Sequence, residues 1–176
     1  MSGHSKWANI KRKKAVLDSK RADNFNKVIR LIVVAAKKGP DVNSNPTLRL
    51  AVEKAKEARL SKENIEKAIK RGSGQLEGQE FETITYEGFG PEGGALLIEC
   101  LTDNKNRTVA ELRTILSKNG GSLGVAGSTS YIFGNDPENP IFKVKMNAAE
   151  SEIFLDKILD ALDDNDDVQE VYTNYE

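Results

Sequence analysis

The first 21 residues contain a cluster of side chains suited to binding phosphate. Several Lys and Arg residues together release condensed counterions from a polyanion, which gives salt-dependent affinity without sequence preference. Trp7 lies among them, and its indole either stacks on an unpaired base, worth about 1–3 kcal/mol, or anchors this segment to an apolar surface. The alternative for the cations is a solvated basic tail. The pattern predicts a nucleic-acid contact made by Lys6, Trp7, Lys11, Arg12, Lys13, Lys14, Lys20 and Arg21.

Charge is divided unevenly along the chain, although the net charge is only -1. Residues 1–71 contain 19 Lys and Arg against 7 Asp and Glu, whereas the remainder contains 7 against 20. Such asymmetry indicates that the basic part contacts a polyanion and that the acidic part repels it. We expect further contacts from cations on the helices of the basic part, at Lys27, Arg30 and Arg49.

The start of the third predicted helix carries few of the residue types that read base sequence. A helix-turn-helix reads bases with Arg, Asn or Gln at the start of its second helix. The helix that follows Ser61 begins Lys62-Glu63-Asn64, in which only Asn64 fits. We therefore favour binding to the phosphate backbone.

Catalytic and metal-binding groups are sparse, so we predict a non-enzymatic protein with no cofactor and no metal. His4 is the single histidine and Cys100 the single cysteine, and neither has the neighbours of a metal site. The acidic run at 163–167 lacks the ligand spacing of a calcium loop and is expected to be a solvated turn. The glycine-rich stretches at 88–94 and 120–128 lack the spacing of phosphate-binding loops and are expected to be structural turns.

Hydrophobic periodicity predicts three helices in the basic part. Residues 19–38 place Phe25, Val28, Ile29, Ile32 and Ala36 on one stripe. The second helix starts after an Asn45-Pro46 cap, and the third starts at Ser61.

The acidic part alternates between strand and helix patterns. A strand or hairpin is predicted at 82–94, and further strands at 95–101, 128–133, 139–146 and 168–175. Helices are predicted at 108–119 and 149–164. From Ala95 this order is strand, helix, strand, strand, helix, strand. It predicts an α+β protein: an N-terminal three-helix domain at 1–74, followed by a ferredoxin-like βαββαβ domain at 75–176.

Five stretches of the sequence form a recognisable pattern: GHSKWANIK near the start, NPTLRLAVEKAKEARLSKENIEKAIKRGSG, GPEGGALLIECLTDNKNRTVAELR, GGSLGVAGSTSYIF and the C-terminal LDALDDNDDVQEVYTNYE. Together these stretches resemble the YebC/PmpR family. The resemblance implies a helical domain and two α/β domains, the last inserted within the second. This chain has only GNDPENP between Phe133 and Ile141, so we expect the inserted domain to be absent near 134–140.

The resemblance also implies a function. Members of that family are described as DNA-binding transcriptional regulators, which implies promoter DNA as the partner. The alternative is a ribosome-associated translation factor that relieves stalling by contacting ribosomal RNA or tRNA. We expect a cytoplasmic location (mitochondrial matrix if eukaryotic), no membrane contact and no small-molecule substrate. Arg107 is a candidate phosphate contact, while Asn106 and Thr108 are candidate caps of the following helix.

Overall fold

A computed structural model describes residues 25–176, which form two compact units. One contains residues 25–83 with Leu101–Asp103, and the other contains Ile84–Cys100 with Asn104–Glu176. The helices are α1 (Phe25–Ala36), α2 (Pro46–Glu57), α3 (Lys62–Gly72), α4 (Lys105–Lys118), α5 (Ser130–Phe133) and α6 (Ala149–Asp163), with a 3₁₀ turn at Pro91–Gly93. The strands are β1 (Glu82–Phe89), β2 (Ala95–Thr102), β3 (Ser122–Leu123) and β4 (Val168–Thr173).

Local capping sets the boundaries of the second and third helices. The side chain of Asn45 accepts a hydrogen bond from the Leu48 amide at 3.1 Å, and Pro46 occupies the first turn of α2. Ser61 accepts from the Asn64 amide at 3.2 Å and starts α3. Both predicted caps are confirmed, because each depends on a contact only three residues along the chain.

The three helices enclose an apolar core. Its fully buried members include Ile32 of α1, Leu48 of α2 and Ala55 of α2. A Cβ on Gly72 would lie 2.2 Å from the Val33 carbonyl oxygen, so α3 ends in close contact with α1 and requires glycine there. The described part of α1 begins at Phe25, whose side chain is 48% exposed, so its predicted place on the buried stripe is wrong.

The second unit is built on a four-stranded sheet in the order β3-β1-β2-β4. Strand β2 pairs antiparallel with β4, with Ile98 opposite Val171. Helices α4 and α6 supply Leu112, Leu116 and Ile158 to a core that also contains Ile98. The prediction of an α+β protein, with N-terminal helices followed by a sheet and its helices, is confirmed.

Two predicted strands of the βαββαβ pattern are wrong. Residues 130–133 form the short helix α5, and residues 139–146 contribute only an isolated bridge between Val144 and Tyr175. The strand predicted at 139–146 and the helix predicted at 149–164 would place Ile141 and Ile153 in the core, but these residues are 65% and 54% exposed. The ends of the 134–140 segment meet, because the Ile141 amide donates to the Ile132 carbonyl at 2.7 Å. Alternation of apolar residues is a local pattern, whereas a strand also needs a neighbouring edge to pair with.

The turn between β1 and β2 is structural, as predicted, and it fits around a buried tyrosine. Tyr175 is fully buried and donates to the Pro91 carbonyl at 2.6 Å. A Cβ on Gly94 would lie 2.1 Å from Tyr175 Cζ, so only glycine fits there. Burial raises the pKa of the Tyr175 phenol.

Candidate nucleic-acid interface

The N-terminal part of the predicted contact lies outside the described residues. This applies to Lys6, Trp7, Lys11, Arg12, Lys13, Lys14, Lys20 and Arg21. Their role therefore stays a prediction, which depends on sequence and charge.

Two of the predicted contacts on α1 are partly or fully buried. Lys27 is only 2% exposed, which does not leave its ammonium open to a phosphate in this fold. Arg30 places its guanidinium 5.0 Å from the centroid of the Phe81 ring, and its Nη1 donates to the Leu101 carbonyl at 2.9 Å. Arg30 therefore stabilises the helical unit through these contacts, whereas Lys27 is buried.

Arg49 is exposed but tied to a neighbouring loop. Its Nη2 donates to the Asn43 carbonyl at 2.9 Å, and its Nε donates to the Val42 carbonyl at 3.3 Å. These bonds hold the segment between α1 and α2. The remaining guanidinium donors face solvent, so Arg49 is the predicted helical contact that the structure leaves on an open surface.

Other Lys and Arg side chains of the helical unit are exposed on its surface. Lys37 donates to the Phe81 carbonyl at 2.8 Å, and Lys67 pairs with Glu63 at 2.6 Å. The hydrogen bond from Lys67, together with its charge, lowers the pKa of Glu63. The exposed cations of residues 25–83 are Lys37, Lys38, Arg49, Lys54, Lys56, Arg59, Lys62, Lys67, Lys70 and Arg71. The sequence also places Lys37, Lys38, Lys67, Lys70 and Arg71 on the helix faces, whereas only the structure identifies Lys54, Lys56, Arg59 and Lys62 as exposed cations.

Arg107 belongs to a polar cluster between α4 and β4. Its Nη2 lies 2.9 Å from both carboxylate oxygens of Asp167, which is 2% exposed. Thr108 Oγ1 donates to the same carboxylate at 2.7 Å. Asn104 caps α4 by accepting from the Arg107 amide at 3.1 Å, so the cap is neither Asn106 nor Thr108. Helix α4 thus begins three residues before its predicted start.

The acidic run at 163–167 is only partly solvated, contrary to prediction. Asp163 is 5% exposed, and Asp167 is held as described. The Asp167 amide donates to the Asn165 side chain at 2.9 Å, and Asn165 donates to Glu111 at 2.7 Å. The run links α6 to β4 along the chain. Its side chains also hold it against α4, through Asn165 and Asp167.

The glycine-rich loop after α4 is structural, as predicted, because the amides of Gly121, Gly124 and Gly127 already donate hydrogen bonds within the fold. The carboxylate of Glu87 accepts from the amides of Gly127 at 2.7 Å and Ser130 at 2.8 Å, and also from the Thr129 amide. Burial raises the pKa of Glu87, but these backbone hydrogen bonds outweigh burial and leave the pKa below its ordinary value. These three amides therefore already donate to a carboxylate and are not available to a phosphate.

Acidic side chains also face one another on the sheet of the second unit. Glu99 of β2 lies opposite Glu170 of β4. Burial raises the pKa of Glu99, and the Glu170 charge raises it further. This face is unsuited to a polyanion.

Across residues 25–176 there is no group of three or more His, Cys, Asp or Glu side chains placed to hold a metal. No helix in that range is long and apolar enough to cross a membrane.

Comparison with known proteins identifies the family. Residues 5–75 match the model of the TACO1/YebC protein N-terminal domain, and residues 81–154 match that of the TACO1/YebC second and third domain. The chain belongs to the TACO1/YebC family. The resemblance drawn from the sequence motifs is therefore confirmed.

Relatives within the TACO1/YebC family are named probable transcriptional regulatory proteins. One from Persephonella marina is 40% identical over 240 residues, covering 100% of this chain and 96% of the relative. One from Chlorobium luteolum is 49% identical, covering 98% and 69%, and one from Bacillus licheniformis is 46% identical, covering 100% and 75%. The 240-residue alignment exceeds the 176 residues of this chain, so the first relative has residues without counterparts here.

A solved structure has a similar fold. The crystal structure of a conserved hypothetical protein from Aquifex aeolicus superimposes with a TM-score of 0.81 and 34% sequence identity. The match covers 91% of this chain and 92% of that chain. The similarity supports the α+β architecture described above.

Proposed function

We propose that this chain is a non-enzymatic, DNA-binding regulator of transcription that acts in the cytoplasm. The observation that carries the proposal is the separation of charge, with 19 Lys and Arg against 7 acids in residues 1–71. The relatives are named probable transcriptional regulatory proteins, which supports regulation of transcription as the role of this chain. We also propose that residues 1–74 form the basic domain and 75–176 the acidic one, with the family's inserted domain replaced by the 134–140 loop.

Exposure of the helical cations supports phosphate binding. Lys54, Lys56, Lys70 and Arg71 are exposed on α2 and α3, where they are open to a ligand. Each cation placed against a phosphate steepens the salt dependence of binding. Together with the N-terminal cluster, they give the basic domain enough positive charge for backbone binding without base contacts.

The acidic domain supports the proposal by excluding the same ligand. From Gly72 onward there are 20 acidic residues against 7 cations. A polyanion is therefore steered to the basic domain during encounter.

Binding of the full-length chain to a labelled DNA duplex across a salt series tests the proposal. The variant in which Lys11, Arg12, Lys13 and Lys14 are replaced by Gln should bind more than about a hundredfold more weakly at ~0.1 M salt, because four phosphate contacts are lost. The matched control replaces four exposed cations of the acidic domain, Arg113, Lys118, Lys145 and Lys157, by Gln.

Equal loss of affinity in both variants would contradict the proposal, since it would reflect net charge alone. No affinity of the unaltered chain for DNA would also contradict it. Sedimentation of the chain with ribosomes, without retention on DNA, would favour a role in translation instead.

A further inference from the structure

The turn between α2 and α3 holds an arginine in a backbone conformation that favours glycine. Arg59 has φ of 60°, in the left-handed region. The Arg59 amide donates to the Lys56 carbonyl at 3.0 Å, and the Leu60 amide donates to the Ala55 carbonyl at 2.9 Å. This is the helix-ending arrangement in which the left-handed residue is usually Gly and sometimes Asn.

Packing on either side imposes this conformation. Ala58 is 4% exposed and Leu60 is 6% exposed, and both belong to the apolar core of the helical unit. Their burial fixes the backbone before and after Arg59, so Arg59 cannot leave the left-handed conformation without exposing apolar side chains. A side chain with a Cβ is less favourable here than glycine.

The Arg59 side chain makes no polar or ring contact that would stabilise the fold of the described residues. It is exposed, and within residues 25–176 its guanidinium has no hydrogen bond, ion pair or ring contact. By contrast, Arg30 contacts Phe81 and Leu101, and Arg49 binds two loop carbonyls. A strained residue without a structural role points to a functional one.

The surroundings of Arg59 suit a phosphate. Lys56 and Lys62 are exposed on either side of the turn. Among nearby acids, Glu63 is paired with Lys67 at 2.6 Å, and Glu66 lies 3.9 Å from Lys62. Glu57 is the remaining acid beside the turn. A guanidinium in this position has donors in a fork that fits phosphate oxygens.

We propose that Arg59 contacts a backbone phosphate of DNA and that the α2–α3 turn is part of the interface. This inference rests on the proposed function and adds to it a specific contact residue outside the N-terminal cluster.

Replacement of Arg59 by Gly separates the two roles, because glycine relieves the strain while removing the charge. We expect R59G to melt at a higher temperature than the unaltered chain. It should bind a fluorescein-labelled, random-sequence DNA duplex of about 24 base pairs roughly eightfold more weakly at ~0.1 M salt, with a log–log salt slope about 0.9 smaller. R59K keeps the charge and should keep the slope. R113Q, which removes an exposed arginine of the other unit, should bind like the unaltered chain.

Five outcomes would overturn the inference. R59G with unchanged affinity would leave Arg59 as a turn residue only. R59G with a lower melting temperature would remove the strain argument. Weaker binding with an unchanged salt slope, or an equal loss in R113Q, would exclude a local phosphate contact. Failure of the unaltered chain to bind the duplex would overturn the proposed function as well, so the two failures are distinguishable.

Discussion

Arg107 and Asp167, 60 residues apart in sequence, form an ion pair in which one guanidinium nitrogen lies 2.9 Å from both carboxylate oxygens. The Asp167 side chain is 3% exposed, whereas that of Arg107 is 40% exposed. The pair joins the first turn of α4 to the residue before β4. The sequence predicts Arg107 as a phosphate contact, but in the structure Arg107 is the ion-pair partner of the buried Asp167 carboxylate.

We expect Arg107→Gln to destabilise the protein by about 1–2 kcal/mol, because the buried carboxylate loses a charged hydrogen-bond donor. The exposure of Arg107 keeps the loss below that of a fully buried pair. Urea unfolding measures the change, and Arg113→Gln on the same helix is the matched control. The DNA affinity of the folded variant should be unchanged.

A double-mutant cycle with Asp167→Asn checks the assignment. If the ion pair is the source of the loss, the two substitutions together should cost less than the sum of each alone. Strict additivity would contradict it, and a steep loss of DNA affinity in Arg107→Gln would restore Arg107 as a phosphate contact.

Contacts that span a few residues were predictable, and those that span many were not. Asn45 and Ser61 were identified as caps because their hydrogen bonds reach only three residues ahead. The sequence predicts that Asp167 faces solvent. It does not reveal the burial of Asp167, because the partners Arg107 and Thr108 lie in a different element. Sequence patterns contain no direct record of such distant pairs.

The region around 128–146 shows the same limit in the sheet. Tyr131 and Phe142 follow the residue types of strands, yet they are 63% and 59% exposed. The edges of the sheet are taken by β3 and β4, and these residues pair with neither in a ladder. For the candidate site, charge asymmetry identified the basic half, but only the structure distinguishes Lys27, which is buried, from Arg59, which is open.

Glu87→Gln should destabilise the protein by about 2 kcal/mol, because three backbone amides lose a charged acceptor. The side chain is nine-tenths buried, so water cannot fully replace it. Urea unfolding gives the free-energy change, and Glu77→Gln, at an exposed position, is the control.

A local measurement identifies the cause of the Glu87 effect. Hydrogen exchange at the amides of Gly127, Thr129 and Ser130 should accelerate in Glu87→Gln relative to the Leu112 amide in the core. Uniform acceleration at all four would instead indicate global destabilisation without a specific role in holding the loop.

Glu92 links the β1–β2 turn to the start of α6 in a pH-dependent way. Its carboxylate accepts from the Asn147 amide at 3.0 Å and from the Ala148 amide at 3.0 Å. These backbone bonds lower the Glu92 pKa from 4.5 to about 2. Since the folded state favours the ionised form, the contribution to stability is present above the ordinary pKa and is lost as the pH falls through the folded value.

We therefore expect Glu92→Gln to be less stable than the unaltered chain at neutral pH, with a gap that narrows as the pH falls from 4.5 towards about 2. The urea midpoints of both proteins, measured from neutral pH down to about 3, give this gap directly. Because Gln cannot ionise, any pH dependence of the gap reports the Glu92 carboxylate. A gap that stays constant across the acidic range would mean that Glu92 acts through shape or neutral hydrogen bonding, and the negative charge at the start of α6 would then have no part in holding the turn to the helix.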